Sequence, residues 1–247
     1  MTPPTPKGRE RIGVDVDVLF GRVPDRHDLD AGLPAVRALL DAHGVDRALV
    51  CPLRGGLFDP RTGNDEVLAA TAGDPRLVPV GTVDLRDPLG AEPEIERLVA
   101  AGVRPLRLFC VAQLIEPDFP ALRHVAELAA GSGLTVLTDG DVRRCWRPFA
   151  GRGASVCFLD VHAYHVGDFV LLAREEPGFV ASTRLLNAPD SIERVVGEVG
   201  AAHLAYGSRL PLHDVTPSAL RLRLADLPDA DWHQASAQTA AGWLGEP

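Results

Sequence analysis

The chain has 247 residues, 46% hydrophobic and 24% charged, with a mean hydropathy of +0.04, a balance that supports a packed core and excludes wholesale disorder. A net charge of -9 and a pI of about 5.3 argue against a nucleic-acid-binding surface, and no run of about 18 apolar residues is present to cross a membrane. Lys7 is the one lysine, so nearly all positive charge is arginine, which can grip a carboxylate through two parallel hydrogen bonds.

The Pro-rich, charged start, Met1 to Arg11, lacks the apolar run of a secretory signal and is expected to be a flexible tail ahead of one compact domain, residues 12–247. Cys51, Cys110, Cys145 and Cys157 show no C-x-x-C spacing and read as reduced, buried thiols, which with the missing signal leads to a cytoplasmic expectation.

From Ile12 onward, short apolar runs alternate with helical periodicity. The runs are Ile12–Val18, Ala48–Pro52, Leu77–Val83, Pro105–Val111, Leu134–Thr138, Val156–Val161, Gly178–Thr183 and His203–Gly207. Between them, Leu33, Val36, Leu39 and Leu40 share a helix face before Gly44. Ile95, Leu98 and Val99 do so before Gly102, and Leu122, Val125 and Leu128 before Gly131. Asp190, Ser191 and Glu193 supply capping residues ahead of Val195, Val196 and Val199. Strands nearly free of charge, each followed by an amphipathic helix, imply a parallel sheet covered by helices, and eight such units predict an α/β fold of the (β/α)8 TIM-barrel type. No G-x-G-x-x-G follows the first strand, which argues against a dinucleotide-binding open sheet.

Active sites of such barrels lie at the C-terminal strand ends. Polar residues there include Asp15, Asp17, Arg54, Asp84, Arg107, Asp139, Asp141, Asp160, His162, His165, Thr183, Arg184, Arg209 and His213. His162 is the expected acid/base because imidazole titrates near neutrality. Asp139 and Asp141 flank Gly140 and suit either paired carboxylate chemistry or an ordinary turn. Alternation leaves Arg107 pointing either into the barrel or towards the helices.

The segment NDEVLAATAGDPRLVPVGTVDLRDP from Asn64, the following IERLVAAGVRPLRLF to Phe109, and GFVASTRLLNAPDSIERVVGEVGAAHLAYGSRLPL from Gly178 resemble the amidohydrolase-2 branch of the amidohydrolase-related barrels. The resemblance runs from Ile12 to Gly245. It implies hydrolysis of amides or lactones, or decarboxylation of aromatic acids. It also implies a metal held by H-x-H on the first strand, by histidines after the fifth and sixth, and by the aspartate of a G-S-D after the eighth. Here H-x-H is matched by Asp15-Val16-Asp17, the fifth-strand histidine by the Thr138-Asp139 region, and the G-S-D aspartate by Arg209. His162 alone matches.

These departures lead to the expectation of no cofactor, with zinc or manganese held by Asp15, Asp17 and His162 were one present. An ion pair between the first-strand aspartates and Arg209 is expected instead, because isolated buried charges are costly. The reading at this stage is a metal-independent hydrolase of a small carboxylate-bearing amide or lactone. His162, Asp15, Asp17 and Asp139 are its catalytic candidates. Arg209, Arg107, Arg54, Thr183, Arg184 and Asp84 are expected to bind an anionic small molecule, with no nucleic-acid or membrane partner and a homo-oligomer left open. The alternatives are a catalytically decayed barrel that binds a small molecule or serves in assembly, and a decarboxylase or isomerase of a biosynthetic pathway.

Overall fold

The computed structural model describes residues 8–245. Among the described residues nine parallel strands follow one another: β1 (Ile12–Phe20), β2 (Val45–Pro52), β3 (Leu77–Pro79), β4 (Gly81–Thr82), β5 (Pro105–Leu108), β6 (Thr135–Thr138), β7 (Ser155–Phe158), β8 (Phe179–Ser182) and β9 (Leu204–Ala205). They pair in sequence order, β1 to β3 in one sheet and β4 to β9 in another. Val80 joins β3 to β4 and donates its N–H to Val50 O at 3.0 Å, so the two short strands are halves of one barrel stave. The ring closes where Val16 N donates to Tyr206 O at 2.9 Å and Val18 pairs with Leu210. The result is the eight-stave barrel the apolar rhythm predicts.

Several expected runs overshoot their strands. Pro105–Val111 stops pairing at Leu108 and Val156–Val161 at Phe158, although Phe109, Cys110, Leu159 and Val161 stay buried. Burial therefore continues past the paired segments, and Leu159 N still donates to Thr138 O at 2.8 Å, so the apolar pattern outlives the strand. Aspartate–proline pairs set helix starts. Asp59 accepts from Thr62 N ahead of Pro60–Thr71, and Asp87 accepts from Gly90 N ahead of Pro88–Ala100. Asp190 sits at a helix start but makes no side-chain cap, and Ser191 Oγ instead donates to Leu186 O and Ala188 O.

Two apolar layers result. One, with Val50, Leu106, Val136, Val156 and Ala181, lies between staves and helices; the other, with Leu49, Cys51, Val80, Leu137, Cys157 and Val180, fills the barrel. The C-terminal helical stretch Asp229–Trp243 packs on the closing seam: Tyr206 N donates to Ala235 O, and a Cβ on Gly13 would lie 2.4 Å from Ala237 Cβ. Of the expected tail, residues 1–7 lie outside the described residues. Arg9 is buried and donates to Ala225 O and Leu227 O. Among the described residues, no helix is long and apolar enough to cross a membrane.

Candidate anion site at the barrel mouth

Strand register settles Arg107. It stands level with Thr82 on β4, Leu137 on β6 and, through Leu137, Cys157 and Val180. Leu137, Cys157 and Val180 belong to the barrel filling, so Arg107 points inward and is 2% exposed. Its Nη1 donates to Asp17 Oδ1. Arg209 Nε donates to Asp17 Oδ2 at 3.0 Å, and Arg184 Nε lies 4.0 Å from the same oxygen. Asp160 completes the cluster: Arg184 Nη2 donates to its Oδ1, Arg209 Nη2 lies 3.0 Å from it, and Gly140 N donates to its Oδ2 at 3.1 Å. The expected pair between Asp17 and Arg209 is therefore present, inside a larger network of three guanidiniums and two carboxylates.

Burial alone would raise the Asp17 carboxyl, but the charges of Arg107, Arg209 and Arg184 hold it well below the usual carboxylate range. Asp15, two residues earlier, behaves oppositely. No arginine reaches it. Asp17 N donates to its Oδ1 at 3.0 Å, Ser208 N to Oδ1 at 3.1 Å and Ser208 Oγ to Oδ2 at 2.5 Å. Burial outweighs these donors and pushes its pKa up to about 7. Asp15 thus departs from the ion-pair expectation, because its partners are neutral. Asp139 is 7% exposed and accepts from Val111 N at 3.1 Å; burial raises its pKa despite the pull of Arg107.

Three guanidiniums thus gather around Asp17, which stays ionised, and Asp160, while the nearby Asp139 holds its proton more tightly than usual. Arg107 Nε, Arg184 Nε and the Thr183 hydroxyl are buried with no hydrogen-bond partner, so the mouth has donors to offer an anion. Beside the cluster, Asp139 and Gly140 line a cavity of about 250 Å³ walled by Cys110, Val111, Ile115 and Cys145. Burial pushes the Cys110 and Cys145 thiols up to about 12, which keeps them in the inert thiol form.

Other expected site residues stand apart. His162 stacks on Tyr164 at 4.6 Å and caps the turn Ala163–His165, its Nδ1 accepting weakly from Tyr164 N at 3.5 Å. Asp84 is gripped by Arg86, and Arg54 is 59% exposed beside Glu66. Asp141 caps the short helix Val142–Cys145, which is its turn role, and from there also lines the cavity beside Asp139. Asp160, named among the strand-end polar residues but assigned no role there, is the carboxylate that joins Arg184 and Arg209.

No protein-family model and no curated protein sequence matches the chain. Solved structures do match. The 2,6-dihydroxybenzoate decarboxylase from Rhizobium superposes with a TM-score of 0.75 at 12% identity, covering 95% of this chain and 99% of that one. A dihydroxybenzoic acid decarboxylase from Polaromonas, with bound manganese and the inhibitor 2-nitroresorcinol, gives 0.74 at 13%, covering 95% and 97%. A putative amidohydrolase from Staphylococcus aureus gives 0.75 at 12%, covering 94% and 99%.

The bound manganese overturns the expectation of no cofactor, which rested on sequence departures alone. The donor set visible here, however, does not fit such an ion. No group of three His, Cys, Asp or Glu side chains able to hold a metal occurs among the described residues, Asp17 is engaged by Arg107 and Arg209, and His162 lies on Tyr164. What the likeness shows is the fold: this chain has the (β/α)8 barrel architecture of these decarboxylases and of the Staphylococcus protein.

Proposed function

We propose that the protein is an enzyme acting on a small aromatic carboxylate at the barrel mouth, by decarboxylation rather than by hydrolysis of an amide or lactone. The observation that carries the reading is the gathering of three guanidiniums around Asp17 and Asp160, with unused donors on Arg107, Arg184 and Thr183. A bound carboxylate supplies the missing negative charge. The neighbouring cavity of about 250 Å³, apolar on Val111, Ile115 and the two thiols, suits a single ring. The neighbours named as dihydroxybenzoate decarboxylases favour this chemistry over hydrolysis.

Asp139 is the proton donor in this reading. Its carboxyl keeps its proton to a higher pH than an ordinary aspartate and lies at the junction of cavity and arginine cluster. The proton passes to the ring carbon that bears the carboxylate; the bond to that carboxylate breaks, its electron pair stays on the ring, and carbon dioxide leaves. Asp139 then recovers a proton from water. Asp17 keeps Arg107 and Arg209 in place, and Arg184 with Arg209 meets the substrate anion.

A second reading, a binding barrel without turnover, is favoured by one feature: Asp17, Asp160 and the arginines already neutralise much of one another. Incubation with 2,6-dihydroxybenzoate, with and without added manganese, separates the two. Release of carbon dioxide and resorcinol, lost in Asp139→Asn, supports the enzyme. Saturable binding with no product supports the second reading, and no binding under either condition refutes both.

A further inference from the structure

We propose that Asp15 is a positioning residue that aims the Arg209 guanidinium into the barrel mouth. Arg209 is not a glycine, yet its backbone lies in the left-handed region at φ 60. An L-residue persists there only when its surroundings fix it. The fixing contacts converge on Asp15. The residue before Arg209 is clamped twice, Ser208 N donating to Asp15 Oδ1 and Ser208 Oγ to Asp15 Oδ2. The residue after it is clamped through the same hydroxyl, since Leu210 N donates to Ser208 Oγ at 3.0 Å. Leu210 O in turn accepts from Leu19 N at 2.8 Å, which ties the turn to β1 a second time.

With both flanks held, Arg209 is directed at Asp17 Oδ2 and Asp160 Oδ1, each at 3.0 Å. Asp15 itself is fully buried and accepts only from Ser208 and the Asp17 backbone. It acts through Arg209 and not on a ligand. Asn keeps an oxygen able to accept from the Ser208 and Asp17 N–H groups, whereas Ala keeps none.

The test follows the Arg209 Nε–H in arginine-labelled protein by NMR, assigned with Arg209→Lys. In Asp15→Ala and in Ser208→Ala its exchange with water accelerates about tenfold or more, while Asp15→Asn stays within about twofold of native. Unchanged exchange in Asp15→Ala or Ser208→Ala overturns the proposal, and so does an Asn variant that behaves like Ala. Should Asp15→Ala not fold, Ser208→Ala and Asp15→Asn decide. Affinity for 2,6-dihydroxybenzoate is a second readout, resting on the anion-site reading above, with a loss of about tenfold expected in Asp15→Ala and rescue by Asn. If native protein does not bind that acid, the functional reading falls and the exchange measurement still judges Asp15.

Discussion

Replacing Asp17 by Asn isolates the electrostatic demand at the centre of the barrel. The Asp17 side chain is fully buried and that of Arg107 is 3% exposed, so neither charge reaches water. Arg209 has a second carboxylate in Asp160; Arg107 has none, and its Nε is already unpartnered. Loss of the Asp17 charge therefore strands one buried guanidinium, a situation that costs about 3–5 kcal/mol. For a chain of this size, that is a fall in melting temperature of about 10 °C. Urea unfolding followed by circular dichroism measures the loss at constant m-value. The companion variant is Arg107→Met, which removes the stranded cation while keeping much of the side-chain volume. The double variant Asp17→Asn/Arg107→Met should recover at least half the loss, giving a coupling energy of about 2 kcal/mol or more. A loss below about 1 kcal/mol in the single variant, or no recovery in the double, refutes the account of Asp17 as the counter-charge of Arg107.

Asp15 gives the mouth a pH dependence of the opposite sign to that of Asp17. With a native pKa of about 7 against an ordinary 3.8, the folded state keeps a proton that the unfolded chain has released. Its contribution is full below pH 4 and is lost as pH rises through 7, by about 4 kcal/mol in all, and the slope should vanish in Asp15→Asn. The depressed Asp17 group acts only below about pH 4, outside that window. A native-minus-Asn stability difference that is flat from pH 4 to 8 would contradict the placement of Asp15 among neutral donors. Cys110 and Cys145, with thiols pushed up to about 12, should resist alkylation at pH 8 in the folded protein and react on addition of urea; fast labelling of either would show that the cavity wall opens. Gly13→Ala places a methyl 2.4 Å from Ala237 Cβ and should cost about 1–3 kcal/mol by pushing the C-terminal helix off the seam, a loss read in the same urea titration.

The barrel was legible because parallel staves are buried on both faces, so each reads as an unbroken apolar run. Where the reading erred, the cause is local. Phe109 and Cys110 continue the apolar run of β5 because they stay buried past its last pairing, and apolar pattern reports burial rather than backbone pairing. Arg107 could not be oriented from alternation alone, since period two names two faces and only barrel closure says which is inside. The arginine cluster was half visible: Arg107, Arg184, Arg209 and Asp160 all stand among the strand-end polar residues, but nothing in the sequence gives Asp160 a role or joins it to two of the arginines. His162 drew attention for its chemistry, and the turn that follows it carries it onto Tyr164.

Asp15 and Asp17 show why residue type and spacing underdetermine a site. In a regular strand, residues two apart share a face and would share the same cations. Here β1 shifts register between Asp15 and Val18, three residues advancing against two on β2. At such an irregularity a strand can turn one side chain away from its neighbour's direction. Asp17 meets three guanidiniums and stays ionised, whereas Asp15 meets a hydroxyl and two backbone amides and holds its proton to about pH 7. The shift thereby withdraws one negative charge from the arginines. Had both aspartates faced Arg107 and Arg209, two carboxylates on β1 would have competed for those guanidiniums. With Asp15 turned to Ser208, Asp17 alone engages them from β1, and the proposed carboxylate site rests on the donors left unused on Arg107, Arg184 and Thr183.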